Sequence, residues 1–276
     1  MRIKEISSSS NALFREIESL MSSRGIKKTG LCLISGKKIL PEILARKVYL
    51  DDSSDQPFGD GNDESSSSKL QGSLLFSTSS YDLAEELAEK FSIERGIMMS
   101  PELFESLDDS GTKHPLYVEQ SPKLKDFEKE MEGLNVFLAL SDPSNLGAAL
   151  RTLKAFQATQ VILLKESAHP FLPKVTKAAS GHNFGLNLTN GPSISDLPSL
   201  SDQLNLFYLD MDGEDLSKFK WPSKVSLLLG EEGKGVPTSL LNSAKGLKIQ
   251  IDPNVESLSA PIALSIATWS YQTQNS

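Results

Sequence analysis

The stretch LNVFLALSDPSNLGAALRTLKAF, residues 134–156, decides the fold of the C-terminal half of the chain. Its first seven residues form an apolar run of the length of a buried strand, and residues 148–156 carry the apolar spacing of a helix. Comparable apolar runs lie at 161–164, 205–209, 225–229 and 247–251. Strands that are hydrophobic throughout are typical of parallel sheets covered on both faces. We therefore predict an α/β domain with a parallel sheet over residues 133–276, which ends in a long helix at 260–271.

The N-terminal half also alternates between helical and strand-like segments, with weaker patterns. We predict helices at 11–21 and 81–91, and strands at 31–35, 73–77 and 97–99. The acidic, serine-rich stretch 51–69 has no apolar period and is predicted to be a flexible loop. Residues 102–132 are polar and contain Pro115 and Pro122, so a domain boundary is expected near 120–132. This division gives a small α/β domain at 1–125 and a larger domain at 133–276.

Composition excludes several classes of protein. The chain has 276 residues, of which 38% are hydrophobic and 23% charged, which is enough to bury a core. A single cysteine, Cys32, excludes an intramolecular disulfide and a cysteine-rich zinc site, and we expect it to be a buried apolar residue. The N-terminus lacks the apolar stretch of a signal peptide, and no apolar stretch approaches the roughly 20 residues of a membrane-spanning helix. These features predict a soluble, cytoplasmic protein with no membrane partner.

The net charge of −8 conceals an uneven distribution along the chain. Residues 1–50 carry ten Lys/Arg and four Asp/Glu, a local charge of +6, whereas residues 51–132 carry −13 and residues 133–276 carry −1. A basic segment can contact phosphates even when the whole chain is acidic. Charge alone nevertheless favours a solvated charged surface over a nucleic-acid site.

Three segments concentrate glycine, proline and polar residues after predicted strands, where open parallel sheets bind ligands. They are DPSNLGAALR at 142–151, GEEGKGVP at 230–237 and ESLSAPIA at 256–263. The glycine spacing at 230–235 is neither a dinucleotide-binding fingerprint nor a P-loop, and taken alone it is equally consistent with an ordinary turn into a helix. His114 and His169 have no neighbouring metal ligands in the sequence, so no metal site is predicted.

In their order and approximate spacing, these three segments resemble motifs 1, 2 and 3 of the SpoU/TrmH branch of the SPOUT methyltransferases, over about residues 133–272. Residues 9–38 resemble the substrate-binding domain common in that branch. The resemblance implies a parallel-sheet domain whose C-terminal segment threads a trefoil knot, preceded by a small α/β RNA-binding domain. It further implies S-adenosylmethionine as cofactor, a homodimer, and methyl transfer to a ribose 2′-hydroxyl of RNA, with ribosomal RNA favoured over transfer RNA.

The same resemblance implies a role for individual residues. Arg151 would orient an RNA phosphate and handle the proton, Asn145 would hold the loop or the substrate, and Glu232 would orient the arginine or help to place the RNA. Ser259 stands where the family usually has asparagine, and its hydroxyl offers fewer hydrogen bonds than an amide. The implied cofactor-binding residues are Leu209, Gly230, Ile251 and Leu258. The implied RNA-binding residues are Arg15, Arg24, Lys27, Lys28, Lys37 and Lys38.

Two other functions stay open at this point. The substitution at Ser259 is also consistent with a non-catalytic RNA-binding protein that retains the SPOUT scaffold with a degraded motif 3. A methyltransferase acting on a small molecule or a protein is a third alternative, and it leaves the N-terminal module without a role.

Overall fold

A computed structural model describes residues 1–51, 69–109, 111–129, 131–231, 235–241 and 243–275. The stretch predicted to be a flexible loop, 51–69, therefore lies almost wholly outside the described residues. In chain order the helices and strands are β1 Arg2–Ile6, α1 Ala12–Ser19, α2 Ser23–Thr29, β2 Leu31–Ile34, α3 Ile39–Asp51, β3 Ser73–Ser77, α4 Tyr81–Lys90, β4 Arg95–Met99, α5 Pro101–Leu107, β5 Leu116–Gln120, β6 Lys125–Asp126, β7 Leu134–Leu138, α6 Pro143–Ala155, β8 Gln160–Leu163, α7 Pro173–Ala178, β9 Leu188–Asn190, α8 Ser201–Leu204, β10 Leu206–Asp215, β11 Val225–Leu229, β12 Lys245–Lys248 and α9 Ala260–Asn275.

The chain folds into two compact units. The N-terminal unit comprises residues 1–123 together with 169–184, and the C-terminal unit comprises 124–168 together with 185–276. The segment 169–184, which contains α7, was placed in the second domain by the sequence, whereas the structure groups it with the first. The physical reason is that α7 packs on β2 of the N-terminal unit.

The N-terminal unit is built on a five-stranded mixed sheet in the order β1-β4-β3-β5-β2. Strands β1, β4 and β3 run parallel, and β5 is antiparallel to both β3 and β2. Because side chains alternate across a strand, Leu75 faces one hydrophobic cluster with Phe14 and Phe104, while Phe76 faces the other with Leu87. Cys32 is fully buried in β2, as predicted, and burial raises the pKa of its thiol well above the ordinary value.

Strand β5 lies within residues 102–132, which the sequence pattern marked as polar and broken by prolines. Leu116, Tyr117 and Val118 are buried within the sheet, and Pro115 immediately precedes the strand instead of interrupting it. A proline before the first strand residue removes no hydrogen bond from the ladder. The sequence pattern predicted no strand here, and the domain boundary expected near 120–132 begins where β5 ends.

The C-terminal unit contains a seven-stranded sheet in the order β12-β10-β11-β7-β8-β9-β6. Every neighbouring pair of strands runs parallel, which confirms the α/β class and the parallel sheet predicted from the apolar runs. Strands β7 and β11 are buried along their whole length. Helix α6 packs against α9, where the hydroxyls of Thr152 and Ser265 lie 3.0 Å apart.

Helix α6 begins five residues earlier than the apolar spacing indicated. Asp142 is its N-cap, and its carboxylate accepts hydrogen bonds from the backbone N–H groups of Ser144 and Asn145, each at 2.9 Å. Pro143 occupies the first turn, where a missing N–H has no helical partner to lose. The polar segment 142–147 is therefore the first turn of the helix. Among the described residues, no helix is long and apolar enough to cross a bilayer.

Candidate functional site at the carboxyl edge of the parallel sheet

An open groove lies at the carboxyl edge of the parallel sheet in the C-terminal unit. Leu209, Ile251 and Leu258, which come from three separate parts of the sequence, all line it. The structure thus brings together three of the four residues that the sequence assigned to cofactor binding. Ligands of open parallel sheets bind at this edge.

The groove is mostly apolar and contains one carboxylate. Leu247, Ile249, Met211 and Ala263 complete its hydrophobic lining, and Asp210 is the charged residue among the described residues that line it. The Asp210 carboxylate also accepts a hydrogen bond from the backbone N–H of Asp212 at 2.9 Å. The groove therefore suits a flat apolar group together with a cationic or hydrogen-bond-donating one.

The loop that contributes Asp210 departs from regular strand pairing. Leu209 and Glu214 both align with Leu247 of β12, so the intervening residues bulge out of the β10–β12 ladder. Bulges of this kind reorient side chains beside binding sites. Asp210 was not predicted from the sequence, which pointed only to the loop after Leu209. The signal present in the sequence was an acidic residue directly following an apolar strand.

Gly230, the fourth predicted cofactor residue, does not line the groove but begins a tight turn after β11. Glu231 and Gly235 form a two-residue bridge, with N···O distances of 3.0 Å and 2.8 Å. A Cβ at position 230 would lie 2.5 Å from the carbonyl oxygen of Gly235 and 2.6 Å from its carbonyl carbon. Since real Cβ contacts are essentially never that short, position 230 requires glycine. Glu232 lies outside the described residues.

Ser259 lies at the start of α9, beside the groove. Its carbonyl oxygen accepts hydrogen bonds from the backbone N–H groups of Ile262 and Ala263, both at 3.0 Å. The residue is exposed, and its neighbours Ser257 and Leu258 line the groove. The third motif therefore forms one wall of the groove and the first turn of α9.

Arg151 and Asn145 both lie on α6, on different faces. At 3.6 residues per turn, six residues separate their side chains by about 120° around the helix axis. Arg151 is exposed, while Asn145 is half-buried in the first turn. The described residues that line the groove include neither of them. The structure does not bring these two predicted catalytic residues together on one helix face.

The six predicted RNA-binding residues are all exposed and belong to the N-terminal unit. Arg15 lies on α1, and Lys37 and Lys38 lie in the connection between β2 and α3. The other three lie on α2, a helix without acidic residues, and they are Arg24, Lys27 and Lys28. Within the described ranges, no group of three or more His, Cys, Asp or Glu side chains could hold a metal ion.

The part of the chain that contains the groove matches a known sequence family. The family described as "SpoU rRNA Methylase family" matches residues 134–269. The chain is 33% identical over 276 residues to "Ribosomal RNA small subunit methyltransferase G 2" of Syntrophobacter fumaroxidans, covering 99% of this chain and 50% of that protein. The chain therefore spans half the length of this relative. It is also 27% identical over 187 residues to the "23S rRNA (guanosine-2′-O-)-methyltransferase RlmB" of Coxiella burnetii, which covers 65% of this chain and 70% of that protein.

Solved structures share the fold along nearly the whole chain. An AdoMet-bound rRNA methyltransferase from Sinorhizobium meliloti superimposes with a TM-score of 0.72 at 18% identity, covering 98% of both chains. The SpoU methyltransferase AviRb from Streptomyces viridochromogenes, in complex with AdoMet, gives 0.72 at 19% identity, covering 96% of this chain and 98% of that one. These likenesses establish the fold, and the sequence match establishes the family. Residues 134–269 of this chain therefore belong to the SpoU rRNA Methylase family.

Proposed function

We propose that the protein is an S-adenosylmethionine-dependent RNA methyltransferase that modifies a ribose 2′-hydroxyl, in ribosomal RNA in preference to transfer RNA. The observation that carries this proposal is the groove formed by Leu209, Ile251 and Leu258 at the carboxyl edge of the family-matched sheet. The named relatives, which include a 23S rRNA guanosine-2′-O-methyltransferase of Coxiella burnetii, support the same reaction and the ribosomal substrate. We also expect the C-terminal segment to thread the trefoil knot of the SpoU/TrmH enzymes.

The groove fits S-adenosylmethionine by its chemistry. Apolar side chains such as Leu247 and Ile251 offer a surface for a purine ring, and the Asp210 carboxylate complements a positively charged sulfonium or ammonium group. When bound, the cofactor supplies a methyl carbon activated by a positively charged sulfur. The protein must therefore hold the ribose oxygen in line with that carbon, and positioning supplies much of the rate.

The residues of α6 would handle the RNA. The exposed guanidinium of Arg151 presents a planar fork that matches two phosphate oxygens, and it is a poor base. We assign to Arg151 the orientation of an RNA phosphate beside the reacting hydroxyl, so that the phosphate and the arginine together handle the proton. Asn145 and Glu232 remain proposed positioning residues, and Ser259 a proposed substrate contact.

The two compact units would divide the work. The C-terminal unit would carry methyl transfer, and the exposed cations of the N-terminal unit, such as Arg15 and Lys37, would hold RNA phosphates. Because phosphate contacts release counterions, RNA affinity should then fall steeply as salt rises. The two units differ from the domains expected at 1–125 and 133–276 in the segment 169–184, which belongs to the N-terminal unit.

A homodimer forms part of the proposal, and one face of α9 supports it. Ile262 and Trp269, seven residues apart on the same face of the helix, are 54% and 57% exposed. The opposite face is buried through residues such as Leu264 and Tyr271. Large apolar side chains exposed together on one helix face are typical of an interface.

Trp269→Glu is expected to convert the dimer into monomers, because it places a charge in the proposed interface. Sedimentation analysis at micromolar protein concentration should show the mass of one chain for the variant and of two for the wild type. Met211→Gln changes another exposed apolar residue, 40% exposed, and should leave the dimer intact. A monomeric wild-type protein would contradict the dimer.

Ser259→Asn separates the proposed enzyme from the rival, a non-catalytic RNA-binding protein on the same scaffold. The amide offers two N–H donors in place of one hydroxyl, so we expect methyl transfer to rise by roughly 10-fold if a further hydrogen bond forms to the substrate. The assay measures transfer of a labelled methyl group to unmodified 16S and 23S rRNA transcripts and maps the product by resistance of the adjacent linkage to alkali. RNA binding with no transfer by either protein would favour the rival.

A further inference from the structure

The segment 169–184 belongs to the N-terminal unit although both of its ends join the C-terminal unit. It forms part of the connection from β8 to β9, two neighbouring parallel strands of the C-terminal sheet. Its apolar residues pack into the N-terminal unit: α7 lies on β2, and Phe184 packs against the cluster that contains Phe76. A Cβ at Gly181 would lie 3.0 Å from Cγ2 of Ile39. The packing fixes which face of α7 is exposed.

The exposed face of α7 is basic. Pro173, Val175 and Thr176 are buried, whereas Lys174 and Lys177 are exposed one helical turn apart. No aspartate or glutamate occurs in the sequence from 167 to 195. The segment therefore adds two cations to the N-terminal unit without a compensating acidic residue of its own.

The part of the N-terminal unit that packs against this segment also lacks acidic residues over a long stretch of sequence. The sequence from 19 to 41 contains no aspartate or glutamate and includes Arg24, Lys28 and Lys38. It forms α2, β2 and the start of α3, which are the elements that α7 and Gly181 contact or adjoin. Folding thus joins two basic, acid-free stretches that are about 130 residues apart in the sequence.

A hydrogen bond and the packing of neighbouring elements relate individual lysines to this segment. The Nζ of Lys177 donates a hydrogen bond to the carbonyl oxygen of Asp109 at 3.3 Å, beside the loop that carries His114. Lys37 lies two residues before Ile39, whose Cγ2 would be 3.0 Å from a Cβ at Gly181, so it is close to the C-terminal part of the segment. Lys27 lies on α2, which packs on β2 as α7 does. Burial, and to a smaller extent the charge of Lys27, lowers the pKa of His169, the first residue of the segment, to about 4.

The nearby acidic residues Asp108 and Asp109 leave the lysines of this surface available to bind phosphate. Asp108 is buried, and its Oδ2 accepts a hydrogen bond from the backbone N–H of Lys113 at 2.7 Å. Asp109 is exposed, and it is its carbonyl oxygen that contacts Lys177. An ammonium group has three donors, so Lys177 keeps two for another acceptor.

We propose that Lys174 and Lys177 of α7 form, with Lys27 and Lys37, a phosphate-binding surface for substrate RNA. This inference rests on the proposed function, because it assigns further RNA contacts to the same enzyme. It assigns RNA capture to residues within the family-matched range 134–269 as well as to the first 123 residues. Phosphate contacts position an RNA without reading its sequence, so the surface should act equally on different RNA sequences.

The test is a double variant, Lys174→Gln with Lys177→Gln. Its matched control is Lys218→Gln with Lys220→Gln, which removes the same charge from an exposed pair in the C-terminal unit near Asp215. Fluorescence anisotropy would measure affinity for unmodified 23S rRNA fragments between about 50 and 200 mM salt. We expect the α7 variant to bind roughly 10-fold more weakly and to lower the slope of log affinity against log salt by about 1.5, since two phosphate contacts are lost.

Each outcome separates this surface from the proposed activity. With the surface in place, the α7 variant should raise the KM for RNA, keep the rate at saturating RNA, and keep the affinity for S-adenosylmethionine. The proposed surface would be contradicted by an α7 variant whose RNA affinity and salt slope match those of the control. It would also be contradicted by a wild-type protein that binds no RNA. A wild-type protein that binds RNA through α7 but transfers no methyl group would keep the surface and contradict the proposed function.

Discussion

Arg151→Ala is expected to lower the rate of methyl transfer at saturating RNA and cofactor by at least ~100-fold, the order of effect of losing a group that stabilises charge in the transition state. Arg151 is exposed on α6, and within the described ranges its guanidinium makes no ion pair, so its removal should leave the fold and cofactor affinity unchanged. The measurement is single-turnover methyl transfer together with calorimetric titration of S-adenosylmethionine.

Two matched variants sharpen this prediction. Arg151→Lys keeps the charge but loses the planar fork, so its rate should lie between those of the wild type and Arg151→Ala. Lys154→Ala removes a cation three residues further along α6, whose Nζ donates to the Gly185 carbonyl oxygen, and should be close to wild type. An Arg151→Ala rate within about twofold of wild type would exclude the assigned role.

Gly230→Val is expected to abolish cofactor binding and to lower the free energy of unfolding by about 1–3 kcal/mol, as overpacking does. The new Cβ would meet the Gly235 carbonyl oxygen at 2.5 Å and the Val236 nitrogen at 3.0 Å, and both are backbone atoms. The turn after β11 must therefore open, which displaces the backbone of Gly230, a residue that we propose to bind the cofactor. Thermal unfolding and cofactor titration measure the two effects separately.

Gly235→Ala is the control within the same turn. Gly235 has a φ of +69°, and no heavy atom lies within 4 Å of the place that a Cβ would take, so alanine there is strained without colliding with a neighbour. Such strain costs of order 1 kcal/mol, and the variant should still bind cofactor. Equal loss of binding in both variants would indicate a general disturbance of the turn, and full binding by Gly230→Val would contradict a role for Gly230.

The parallel sheet was predictable because its strands are buried on both faces. Strands β7 and β11 consist almost wholly of apolar residues, and such runs carry their own signature in the sequence. Strand β5 was missed because it is short and flanked by prolines and acidic residues, and its burial depends on pairing with β2 and β3. Pairing partners distant in sequence leave no local pattern.

The docking of 169–184 shows a second reason why sequence patterns are incomplete. The sequence pattern identifies Phe171, Leu172 and Val175 as core residues. It does not indicate whether they belong to the core of the N-terminal or of the C-terminal unit. The sheet connection from β8 to β9 belongs by chain order to the C-terminal unit, yet its side chains fill the N-terminal one. That choice depends on shape complementarity with residues such as Ile39, which becomes visible only in the folded chain.

The parts of the candidate site that belong to short sequence motifs were predictable. Leu209, Ile251 and Leu258 were assigned through a family resemblance, and the structure places them in one groove. Asp210 was missed because its position depends on the bulge between β10 and β12, which nothing in the local sequence requires. The roles of Leu209, Ile251 and Leu258 in cofactor binding stay predictions.

Calorimetric titration of S-adenosylmethionine into the wild-type protein tests the central claim most directly. The groove at the carboxyl edge of the parallel sheet predicts saturable binding with one cofactor per chain, competed by S-adenosylhomocysteine. A folded protein that takes up no S-adenosylmethionine would contradict the account.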